Sequence, residues 1–282
     1  MHNRRFRIDK LVPLTDRDMD KGNFLVDKLR VEVYADAQAA GRVAAHATAQ
    51  AMRELVARRG SAAVVFATGA SQLDALAAIV EEPNIPWNRI DGFHLDEYLG
   101  LPVEHPASFR HYLRENLTSR TQMRSFLEID GESSDPESVC RRYAEALRQA
   151  NPQLCLLGIG ENGHLAFNDP DEADFGDARD VKVVTLDEAC RQQQAAEGWF
   201  ATLEEVPDRA ITITIPAILR VPQLIVCVPG IRKAQIVRRT LHEPVSPQCP
   251  ATILRTHPNA TLYLDRDSAS ELTASTVLQA RT

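Results

Sequence analysis

Four short segments gather residue types that move protons or hold anions. FHLDEYLGLPVEHPASF (93–109) places two adjacent carboxylates, Asp96 and Glu97, directly after a hydrophobic run. One of such a pair can face a pocket as a general base while the other faces away or braces the loop; the ordinary fate of a loop acid is a solvated charge or a cap. His94, Glu104, His105 and Pro106 crowd the same stretch and weigh toward function. LLGIGENGHLAFNDP (156–170) brings Gly158, Gly160 and Gly163, which let the backbone approach a ligand, together with His164, Glu161 and Asp169. Histidine shuttles protons near neutral pH, and a carboxylate bonded to one ring nitrogen fixes its tautomer.

The other two segments read either as anion sites or as plain strand-to-helix turns. In ATGASQL (67–73), Gly69 permits a tight turn, the amides of Ala70 and Ser71 open a helix, and Thr68 and Ser71 add hydroxyls. Together they can cradle a phosphate at the positive end of the helix, or Ser71 is simply an N-cap. The segment is neither a Walker loop nor the GxGxxG dinucleotide fingerprint. VPGIRKAQIVRR (228–239) again runs from strand through glycine into helix, and Lys233 either reaches back to an anion at the sheet edge or stays solvated. Only its pairing with the first loop favours the anion.

The elements that must position these loops are legible in outline. Residues 36–59 are rich in Ala, Arg, Glu and Leu without proline, so a long helix is expected with Asp36 as N-cap. Strands are expected at 62–68, 93–95, 154–158, 211–215, 224–228 and 261–265, and helices at 106–117, 136–149 and 232–239. Apolar runs alternating with amphipathic helices imply an α/β fold: a three-layer α/β/α sandwich around a mostly parallel, Rossmann-like sheet. Ligands gather at the carboxyl ends of strands in such sheets, where all four segments lie.

The whole chain sets the frame. With 282 residues, 44% apolar, 25% charged and a net charge of −7, a globular protein with a large core is expected. The acidic balance argues against a dedicated nucleic-acid partner, and any anionic ligand needs local counter-charge. Neither a signal-peptide apolar run nor a membrane-length one is present, so a cytoplasmic location without membrane contact is expected. The five cysteines are scattered, with no CxxC and no Cys/His spacing suited to zinc, and are expected as buried apolar residues, with no metal site.

In this order and spacing the four loops resemble the glucosamine-6-phosphate deaminase/isomerase family, whose superfamily includes the 6-phosphogluconolactonases. LDEYLGLPVEHPASF and GIGENGHLAFNDP are the most specific pieces, and PATILRTHPNATLYLD is similar to the family's closing helix and strand. DEY at 96–98 and AFNDP at 166–170 favour the deaminase side over the lactonases. The resemblance implies a single domain over 29–282 preceded by an extension, 1–28. It implies conversion of glucosamine 6-phosphate and water to fructose 6-phosphate and ammonia, with no cofactor. Asp96 would be the base between C2 and C1, and His164 would assist ring opening, positioned by Asn162 and Asp169. Thr68, Gly69, Ala70, Ser71 and Lys233 would hold the phosphate. Family members range from monomers to hexamers, so a homo-oligomer is compatible.

The chain also departs from the family pattern. Asn162 stands where Asp is frequent, and Asp169 where Glu is common. In CRQQQAAEGWF, Ala196 falls near the place of a phosphate-contacting arginine, leaving Arg191 as the nearby candidate, and ITITIPAIL is closer to the lactonase style. The departures bear on the substrate more than on the scaffold. Alternatives are a related hexose-phosphate isomerase, a lactonase-like hydrolase, or a silent sugar-phosphate sensor.

Overall fold

The computed structural model describes residues 22–69 and 72–272. Eight strands form the main sheet, in the order β1 (Asn23–Val26), β2 (Leu29–Tyr34), β11 (Ala260–Asp265), β10 (Gln223–Val228), β7 (Leu154–Leu157), β3 (Ala62–Phe66), β4 (Ile90–His94) and β6 (Ser125–Leu127). Every neighbouring pair is parallel except β1 and β2, which form an antiparallel hairpin. Residues 23–26, at the end of the segment expected as an extension, thus continue the sheet; residues 1–21 lie outside the described part.

Helices cover both faces, and the strand residues divide between them with the two-residue period of a pleated sheet. Val64, Phe66, Leu154 and Leu156 pack under α1 (Ala37–Arg59), α2 (Leu73–Glu81) and α3 (Phe109–Asn116). Ala63, Val65, Cys155 and Leu157 face the other way, toward α4 (Pro136–Ala150), α6 (Ile215–Leu219) and α7 (Ala234–His242). The long helix starts where expected: Asp36 accepts the amide of Ala39 at 2.7 Å, and Gly60 closes the other end in the left-handed region. The helix expected from 106 begins only at Phe109, after Ser108 serves as its cap. That expected at 232–239 is a 3-10 turn, Ile231–Lys233, followed by α7.

ITITI does not extend the parallel sheet. Residues 209–213 form β9, the centre of a separate antiparallel sheet between β5 (Asp96–Tyr98) and β8 (Val181–Thr185), and Ile215 already begins α6. An apolar run reports burial, and burial against a second sheet leaves the same trace as burial between helices. This small sheet, α5 (Glu188–Ala196) and the loop around Phe167 share a third apolar cluster containing Tyr98, Phe109, Phe167 and Phe200.

From β3 the chain builds outward through β4 and β6, then returns to place β7 on the other side of β3. The crevice at the carboxyl ends of β3 and β7 is therefore a topological switch point, the usual ligand position in open α/β sheets. Among the described residues no helix is long and apolar enough to cross a membrane.

Candidate active site

At that crevice a cleft is lined by Thr68, Gly69, Asp96, His164 and Lys233, so four separate sequence segments converge. Ala70 and Ser71 lie outside the described residues.

The two adjacent carboxylates take opposite roles because successive strand residues point to opposite sides. Glu97 is fully buried and braces the loop: it accepts the amides of Tyr98, Phe109 and Arg110, the hydroxyl of Ser108 and the guanidinium of Arg110, all at 2.9–3.1 Å. It thereby holds the amino end of α3. Asp96 faces the cleft, and among the described residues no donor reaches its carboxylate within hydrogen-bonding distance. Burial, reinforced by the neighbouring Glu97 charge, raises its pKa well above the usual carboxylate range. Such a carboxylate is a stronger base than a solvated one. His94, from the same segment, is structural: its Nε2 accepts the amide of Ile129 at 2.7 Å, and burial lowers its pKa to about 3.

His164 lies across the cleft. Its Nδ1 is 2.9 Å from Asp169 Oδ1. Asn162 organises the loop: its side-chain amide donates to Asp169 Oδ1 and to Asp187 Oδ2, both at 2.9 Å, while its oxygen accepts the amide of His164 at 3.0 Å. The asparagine thus supplies two protons between two carboxylates, where an aspartate would be a third anion. Burial acts to raise the Asp169 pKa, but His164, Asn162 and the Asp187 amide outweigh it and the net shift is downward. The shorter acid at 169 still reaches the imidazole.

Gly160 is required by close approach. A Cβ there would lie 2.2 Å from the His164 ring. Ala166 adopts a left-handed φ of 51° in the following turn.

The small sheet ties the Asp96 and His164 segments together. Asp96 is in register with Thr212 of β9. Thr212 Oγ1 accepts the amide of Phe167 at 3.1 Å, and Asn168 donates to the carbonyls of Leu165 and Ile213 at 2.8 Å each. Asp96 and His164 are therefore held through one strand.

Lys233 is 7% exposed and donates to the carbonyl of Ile159 at 2.8 Å, so it sits in the wall of the cleft and is not solvated. Burial lowers its pKa, with the Glu197 and Glu161 charges opposing the shift. Its turn is anchored by Asp265, which accepts the Gly230 amide with both oxygens at 3.0 and 3.1 Å. The Tyr112 hydroxyl donates to the carbonyl of Gly69, a lining residue, at 3.0 Å.

Arg191 is not brought into the cleft. Its guanidinium donates to the carbonyls of Leu203 and Val206, closing the loop after α5. The side chains that α5 does present there are Gln193 and Gln194, with Glu197 just beyond, and Gln193 Oε1 accepts the amide of Glu161 at 2.8 Å. Their one-helix-turn spacing in CRQQQAAEGWF is the signal that could have found them.

The family model for glucosamine-6-phosphate isomerases/6-phosphogluconolactonase matches residues 35–263. The chain belongs to this family. It is 36% identical over 250 residues to the glucosamine-6-phosphate deaminase of Streptomyces avermitilis, spanning 86% of this chain and 93% of that one. It is 34% identical over 220 residues to the deaminase of Bacillus cereus, covering 78% and 81% of the two chains. Among solved structures, a monomeric glucosamine-6-phosphate deaminase superposes with a TM-score of 0.78 at 29% identity, covering 86% of this chain and 99% of that one. The 6-phosphogluconolactonase of Trypanosoma brucei, at 18% identity, TM-score 0.71 and coverage of 86% and 98%, shares the fold.

Proposed function

We propose that this family member is a glucosamine-6-phosphate deaminase, converting glucosamine 6-phosphate and water to fructose 6-phosphate and ammonia. The observation that carries the reading is the facing pair: a buried carboxylate with raised pKa, Asp96, and an imidazole backed by a carboxylate, His164 with Asp169, on one cleft. The similarity to curated deaminases over most of the chain supports the same substrate.

Isomerisation of an amino sugar needs an open chain, so the ring oxygen must gain a proton while the anomeric hydroxyl loses one. His164 is suited to relay that proton, with the Asp169 carboxylate 2.9 Å from its Nδ1 and Asn162 holding its backbone amide. The C2 proton then leaves to Asp96, which returns it at C1, while O1 gains a proton and the C2 amine loses one, leaving a C1 hydroxymethyl group beside an imine, C2=NH. Water adds to C2 and ammonia departs, completing the balance. Lys233 and the turn at Thr68 and Gly69, continued by Ala70 and Ser71, are assigned to the phosphate, with local positive potential offsetting the acidic chain. The residues named all come from one chain, so the reading requires no second subunit. A cytoplasmic location belongs to the same proposal.

The test is to supply glucosamine 6-phosphate and 6-phosphogluconolactone separately. Ammonium and fructose 6-phosphate in equal amounts from the first support the reading. Consumption of the lactone without ammonium release from the amino sugar replaces it with a hydrolase, and tight binding of the amino sugar without turnover replaces it with a sensor.

A further inference from the structure

Cys190 has no part in the proton chemistry above, yet it is buried against the residues that do. Its helix, α5, is capped by Asp187, whose side chain accepts the Cys190 amide at 2.6 Å. The cap sets the first turn of α5 beside the His164 loop, since Asp187 also accepts from Asn162. As a result one donor atom each from His164, Asp169 and Cys190 lies within 4.8 Å of the other two, and all three residues are buried. His164 Nδ1 is fully enclosed and makes no well-aligned hydrogen bond among the described residues despite its closeness to Asp169.

We propose that this triad is an inhibitory site for a thiophilic divalent cation, zinc above all. The donor set fits: imidazole nitrogen, carboxylate oxygen and thiolate sulfur are ordinary zinc ligands, and a thiolate disfavours magnesium or calcium. Tetrahedral zinc places its donors about 3.4–3.6 Å apart, so the triad closes on the ion with side-chain adjustments of about an ångström. Thiolate and carboxylate together neutralise the dication, which suits a buried place, and water takes the fourth position. As the zinc–sulfur bond forms, the thiol gives its proton to solvent. The ion then occupies His164 and Asp169 and halts the proton relay. A spacing rule could not find this site, because its ligands span 26 residues along the chain and are brought together by the fold, with Asp187 bonding both segments.

Cobalt(II) titration of the chelator-stripped full chain reads the site directly, through a thiolate-to-cobalt charge-transfer band. Wild type is expected to give one band at one equivalent. Cys190→Ser and Cys190→Ala, checked for folding by circular dichroism, are expected to lose it and to need at least about tenfold more zinc for half-inhibition of ammonium release. Should neither variant fold, alkylation of the native wild-type chain with and without zinc, followed by peptide mapping, still decides the location: zinc is expected to slow the labelling of Cys190 and leave the other four cysteines, all buried as well, unaffected. Absence of a band, or protection at another cysteine, overturns the site. A band at Cys190 with undiminished ammonium release overturns the inhibition. The spectroscopic arm does not depend on the deaminase reading, so the two can fail separately.

Discussion

At the scale of single residues, Asp96 and Glu97 show how one backbone step divides function from structure. Glu97 accepts three amides, a hydroxyl and a guanidinium, whereas Asp96 is buried without such support and its pKa is raised by that burial. A group whose folded pKa exceeds its unfolded one contributes stability at low pH and loses it as pH rises through the folded value. Asp96→Asn is therefore expected to raise the thermal midpoint at pH 7, with the gain shrinking as pH falls to the ordinary carboxylate range. The same substitution should lower kcat by about a hundred- to ten-thousandfold. The wild-type kcat/KM should fall on its acid limb with an apparent pKa above that of a free aspartate, because the base must be ionised. Lys233→Ala removes a charge-assisted contact worth about 1.5–3 kcal/mol, so KM for the sugar phosphate should rise roughly ten- to a hundredfold. An unchanged KM would leave Lys233 as a prop for the Ile159 carbonyl alone. Gly160→Ala collides with the His164 ring and should depress kcat more than KM, while inorganic phosphate, read as a competitive inhibitor, keeps its affinity.

At the scale of elements, the three-stranded sheet is the part least visible in the sequence. Residue types for Asp96, His164, Asn162 and Asp169 could be read from their own loops, because each loop carries local signals: paired acids, clustered glycines, a histidine. What joins them could not. ITITI reads as buried strand whichever sheet receives it, and β5 is only three residues long, too short for a periodic pattern. Likewise Arg191 has the right charge near the right place, but the carbonyls that claim it, Leu203 and Val206, lie in a loop whose path no local pattern fixes. The joint itself is testable. Thr212→Val keeps the shape and removes the acceptor of the buried Phe167 amide, which should cost about 1–3 kcal/mol by urea denaturation. Because Thr212 also lies beside Asp96 in register, kcat should fall as well. A stability loss with unaltered kcat would show that β9 supports the fold without aligning the two loops.

For the molecule as a whole, the alternation of strands and helices was enough to expect a layered parallel sheet, since the pattern follows from burying apolar faces on both sides. It also points to the strand ends as the place of a cleft, because strand ends at a switch point form a crevice whatever the side chains. The strand order was not readable, and with it went the knowledge that β3 and β7 are neighbours and that their two loops face each other. Within a chain of charge −7, Lys233 places a cation in the wall of the cleft. On this reading the crevice moves a proton from C2 through Asp96 and releases ammonia. This is tested most directly by ammonium release from glucosamine 6-phosphate, measured side by side for wild type and a folded Asp96→Asn protein. Wild type is expected to show steady release matched by fructose 6-phosphate, and the variant a loss of at least about a hundredfold. Release from Asp96→Asn at the wild-type rate would contradict it.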